Sequence, residues 1–82
     1  MATLDIISPL PGVFYRRPSP ESDVFVNEGD QVENTTVIGL IEVMKQFSDL
    51  TADAQGTLIR FCVDDSEPVE PGQVVAIIEI QE

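Results

Sequence analysis

Apolar residues in this chain gather in short runs separated by turn-forming residues. Val, Ile, Phe and Thr dominate 12–15, 24–26, 37–44, 56–63 and 74–80, and Gly29-Asp30 and Pro71-Gly72 punctuate them. β-branched and aromatic runs of four to eight residues bounded by Gly, Pro and Asp predict strands. Residues 43–54 come nearest to a helix, with apolar side chains at 43, 44, 47 and 50. Ser48-Asp49, Thr51-Ala52-Asp53 and the lack of end caps argue against one. The segment reads instead as a hairpin crossing between the runs 37–44 and 46–51.

The chain also repeats itself. Residues 26–42 align without a gap on residues 63–79, and Val26, Val32, Glu33, Val37, Ile41 and Glu42 meet identical residues at Val63, Val69, Glu70, Val74, Ile78 and Glu79. The offset is 37 residues, whereas upstream Gly12–Arg16 matches Gly56–Arg60 at an offset of 44. The first copy therefore carries seven extra residues between Arg16 and Val26. That interval holds Arg17-Pro-Ser-Pro-Glu-Ser-Asp23, whose prolines cannot join a sheet interior. A plain connector is one reading; a stiff protrusion present in only one of two copies suggests a task. Each copy presents an apolar face it cannot bury alone, so the two are expected to pack about a pseudo-twofold axis. The predicted fold is all-β, a flattened barrel or sandwich of two four-strand halves, with the inserted loop at about residues 17–24. All 82 residues are assigned to this single domain.

Composition narrows the function. A chain this short has a thin core and little interior for a catalytic pocket, and it contains no histidine. Ser, Thr and Cys62 are present as nucleophiles without that base, so a self-contained enzyme is disfavoured. The formal charge of −11 opposes nucleic acid and anionic membranes and favours a soluble monomer. Cys62 stands alone in an apolar run and is expected to be a buried thiol. Asp64-Asp65-Ser66-Glu67 lacks calcium-loop spacing, so no metal site is expected. No basic leader and no run of about 20 apolar residues is found, which points to a cytoplasmic protein.

One lysine occurs among 82 residues, Lys45, at the junction of the runs 37–44 and 46–51. A tight turn there would place its amine in solvent. Scarcity and exposure suit an amine that one enzyme must modify alone, and equally suit an ordinary surface lysine.

Glu42-Val43-Met44-Lys45, set between two β-halves, resembles the Glu-Ala-Met-Lys attachment motif of biotinyl domains. The wider run Ser8-Pro-Leu-Pro-Gly-Val-Phe-Tyr-Arg-Arg-Pro-Ser-Pro20 is similar to the biotin carboxyl carrier proteins of bacterial and plastid acetyl-CoA carboxylase. In that family the Pro-Ser-Pro segment forms a protruding thumb, which coincides with the seven-residue excess. Gly29, Glu33, Gly56, Val69 and Gln73 match further landmarks, while Val43 and Gln46 depart from the usual Ala and Met or Leu.

The resemblance implies biotin attached covalently to Lys45 by a biotin protein ligase that reads Glu42, Val43, Met44 and Gln46 in the hairpin of residues 42–47. It further implies a carrier without catalysis of its own, moving a carboxyl group from biotin carboxylase to carboxyltransferase for fatty acid synthesis. Thumb residues Pro18, Ser19, Pro20, Glu21, Ser22 and Asp23 would cover the biotin rings and shield the loaded form from water. Glu42 is open to a plainer reading, a solvent-facing strand position that Glu79 shares. A lipoyl carrier, which typically presents Asp-Lys, and an unmodified adaptor of the same fold are the alternatives.

Overall fold

The computed structural model describes residues 2–19 and 21–80. Eight strands form: β1 (Ala2–Ile7), β2 (Gly12–Tyr15), β3 (Gln31–Val32), β4 (Val37–Val43), β5 (Gln46–Thr51), β6 (Gly56–Phe61), β7 (Glu67–Val69) and β8 (Val74–Ile80). They make two antiparallel four-stranded sheets, ordered β1-β8-β6-β3 and β5-β4-β2-β7. Exchanging each strand for the one four places away in the sequence turns one sheet into the other. The repeat is thus a pseudo-twofold exchange of whole sheets, and the molecule is a sandwich of two sheets rather than one closed barrel.

Detail follows the same symmetry. β4 and β8 bury the same positions in the same order. Phe14 and Leu58, Ile38 and Val75, and Ile41 and Ile78 are repeat mates, all essentially inaccessible to solvent, and they interleave across the sandwich as its core. The turns match as well. The Asn27 and Asp64 amides donate to side-chain carboxylates three residues on, at Asp30 and Glu67. The Glu33 and Glu70 amides donate to Thr36 and Gln73. Gly12 and Gly56 sit where an added Cβ would overlap the carbonyl oxygens of Glu42 and Glu79. Side-chain-free backbone at both points lets β2 and β6 cross close to the ends of β4 and β8.

Three expectations change. Val24–Val26 does not pair as a strand: Phe25 N–H donates to the Arg16 carbonyl at 2.8 Å, closing the inserted loop, while Val26 is still buried like its mate Val63. The hydrophobic run reflected burial and not a ladder. β1, β3 and β7 were not among the predicted runs: β3 and β7 are two and three residues long, and β1 is an edge strand burying little beyond Ile6, so its alternation is faint. Cys62 is exposed, not buried. A bulge between Leu58 and Arg60 inserts one residue against β8, so Leu58, Phe61 and Val63 turn inward and Cys62 turns out.

Candidate functional site: the β4–β5 hairpin and the cleft beside it

Val43 and Gln46 form the last rung between β4 and β5, leaving Met44 and Lys45 as a two-residue turn. Both have positive φ, 51° and 67°. Such mirror-image turns match the twist of a hairpin but ordinarily use Asn and Gly, because a Cβ costs about 1–2 kcal/mol in that conformation. Met44 is 91% exposed and Lys45 is exposed beside it. The sequence thus accepts a strained turn to hold a methionine and an amine at the tip of the molecule.

Below the tip, Glu42 pairs across the hairpin with Phe47. Ile41 and Phe14 face the core, so alternation turns Glu42, Phe47 and Tyr15 to the outer face of the same sheet. The Tyr15 hydroxyl donates to Glu42 Oε1 at 2.8 Å, and the Tyr15 and Phe47 rings lie 6.1 Å apart at 53°. This hydrogen bond from the neutral phenol raises the Tyr15 pKa above its ordinary value, with partial burial and the charges of Glu42 and Asp65 adding to it.

The inserted loop flanks this face. Ser22 N–H donates to the Ser19 carbonyl, and the two hydroxyls lie 2.8 Å apart. Of the predicted thumb residues, Pro18, Ser19, Glu21 and Asp23 are exposed and Ser22 is half-buried; Pro20 lies outside the described residues. Between loop and hairpin is a cleft of about 310 Å³ lined by Tyr15, Arg17, Pro18, Ser19, Glu42, Phe47, Asp65 and Ser66. Asp65 accepts the Arg16 amide at 2.7 Å and stands 3.9 Å from Arg17 Nε. Arg17 Nη1 reaches the Ser22 carbonyl only at 3.4 Å, and its buried Nε has no hydrogen-bond partner.

Sequence reasoning located Lys45, Glu42, Val43, Met44 and Gln46, which the structure brings together in one hairpin. It missed Tyr15, Phe47 and Asp65. The signal lay in the repeat: the mates of Tyr15 and Phe47 are Ile59 and Thr3, so the two aromatic side chains replace non-aromatic ones only on the sheet that carries Lys45.

An exposed amine at the apex of a two-residue hairpin turn is suited to serve as a post for a covalently attached group, the arrangement of a carrier domain. The family model described as "Biotin-requiring enzyme" matches residues 4–78, and the chain belongs to this biotin/lipoyl attachment family. Its relatives include biotin carboxyl carrier proteins of acetyl-CoA carboxylase. That of a Nostoc species is 39% identical over 84% of this chain and 38% of the relative. That of Chlamydia muridarum is 40% identical over 82% of this chain and 41% of the relative. The chain spans less than half the length of these curated relatives. Among solved structures, urea carboxylase of Kluyveromyces lactis superimposes with a TM-score of 0.78 at 24% identity, covering 96% of this chain and 6% of that one, a likeness of fold.

Proposed function

We propose that this chain is the biotin-bearing domain of a biotin carboxyl carrier protein serving acetyl-CoA carboxylase. The observation that carries the reading is Met44-Lys45 at the exposed apex of the β4–β5 turn, preceded by Glu42. Biotin protein ligase would engage the hairpin; the Lys45 amine, once deprotonated, attacks the activated carboxyl of biotin, forming an amide and expelling the activating group. The bound cofactor supplies a ureido nitrogen that takes up and gives back a carboxyl group. The chain supplies the rest. Lys45 lengthens the arm, the hairpin fixes its root, and the sandwich beneath is a rigid post. Tethering turns diffusion between a biotin carboxylase and a carboxyltransferase into a local search at high effective concentration. No step of the carboxyl transfer itself falls to the domain's own side chains, and the cytoplasm is the compartment proposed for it.

Intact mass after incubation with biotin protein ligase, and separately with a lipoate ligase, tests the assignment. One biotinyl increment is expected, absent in Lys45→Arg. A lipoyl increment would establish the lipoyl carrier instead, and no increment with either would leave an unmodified adaptor.

A further inference from the structure

The cleft beside the hairpin has a chemical character of its own. Its walls offer two aromatic faces, Tyr15 and Phe47, and two carboxylates, Glu42 and Asp65, against one guanidinium, Arg17. Glu42 accepts one hydrogen bond on Oε1 and keeps acceptor capacity beyond it. The repeat provides an internal control: at the corresponding place on the opposite sheet, the bulged pair Ile59-Arg60 with Thr3, Glu79 and Glu28 offers carboxylates and a guanidinium but no aromatic face, and no loop is inserted beside it. The aromatic-walled cleft is therefore peculiar to the sheet that bears Lys45.

Resting on the carrier function proposed above, we propose that this cleft sorts the biotinyl-lysine arm by charge, holding it when uncarboxylated and turning it away when loaded. The cleft opens at the Glu42–Phe47 rung, about 7 Å along the strands from the turn at the usual rise per residue, which a folded-back arm can cover. The uncarboxylated bicycle presents two ureido N–H donors and an apolar thioether ring. Donors suit Glu42 and Asp65; the thioether suits Tyr15 and Phe47. Carboxylation replaces one N–H with a negative charge. The arm then loses a donor and meets two carboxylates opposed by one arginine, in a chain of net charge −11. The resemblance implied a thumb that shields the loaded ring; the charges at its base favour the empty one. An arm parked when empty and free when loaded would bias the cargo toward delivery.

NMR of the biotinylated chain tests this through the ring-proton shifts of Tyr15 and Phe47, with intact mass first confirming one biotin on Lys45. Biotinylation is expected to shift both rings. Carboxylation by biotin carboxylase, ATP and bicarbonate should return them toward the unmodified values, with cleft occupancy falling about fivefold or more. Asp65→Asn removes one charge while keeping an acceptor for the Arg16 amide, and should restore occupancy by the loaded arm. Rings unmoved by biotinylation, or moved equally in both states, would overturn the proposal while leaving the carrier function standing. Failure to gain biotin would instead strike the carrier function itself.

Discussion

The two halves of this molecule share a scaffold and differ in a few side chains and one loop. Core mates, capped turns and glycine crossings recur from one half to the other. Among the described residues, the Met44-Lys45 turn, the Tyr15–Glu42 hydrogen bond, the Phe47 ring and the loop closed by Arg16 and Phe25 occur only with the sheet that bears Lys45. What recurs concerns folding, and what fails to recur concerns the site. An internally repeated protein thus carries its own reference state, against which functional elaboration stands out.

The largest expected effects would break that comparison if they fell unequally. Phe14 and Leu58 are both completely buried at equivalent positions. Phe14→Ala should cost about 3–5 kcal/mol and Leu58→Ala about 2–5 kcal/mol, since each leaves a cavity that a two-sheet sandwich cannot close. Urea unfolding of both variants checks this. A loss below 1 kcal/mol in one and not the other would mean that the two sheets do not share a single core.

A smaller effect of opposite sign is expected at the hairpin. Lys45 holds a φ of 67°, a conformation that favours glycine. Lys45→Gly should raise unfolding stability by about 1 kcal/mol while abolishing attachment. An unchanged or lowered stability would show that the turn holds no such strain.

How much of this was legible in the sequence depends on how each feature is encoded. The repeat and the sandwich were legible because identical residues at a fixed offset survive any uncertainty in strand ends, and the exposed turn at Lys45 because it falls between two apolar runs. Cys62 was misplaced because a bulge at Ile59 reverses the inside–outside alternation, and one extra residue leaves no mark in composition. Val24–Val26 resembled a strand because burial and pairing leave the same apolar signature. The cleft was hidden for a different reason: Tyr15, Glu42 and Asp65 lie far apart in sequence, and only the register of β2 on β4 and the Arg16–Asp65 contact bring them together.

The finest effect separates Glu42 from its mate Glu79, two residues that the repeat alone treats as equivalent. Tyr15 is the only tyrosine and the chain has no tryptophan, so phenolate absorbance reports this one group. Its hydrogen bond to Glu42 is the largest cause of its raised pKa, ahead of partial burial and the charges of Glu42 and Asp65. A raised folded-state pKa means that the neutral phenol stabilises the fold: the contribution is complete below the unfolded value near 10 and disappears as pH climbs through the folded value. Glu42→Ala removes the acceptor and the nearest charge together, so ionisation should move down toward the ordinary value without reaching it, since burial and Asp65 remain. Glu79→Ala should leave it unmoved. Equal shifts in the two variants would mean that Tyr15 senses the net charge of an acidic protein, and the outer face of the Lys45 sheet would then hold no built contact that sets it apart from its mate.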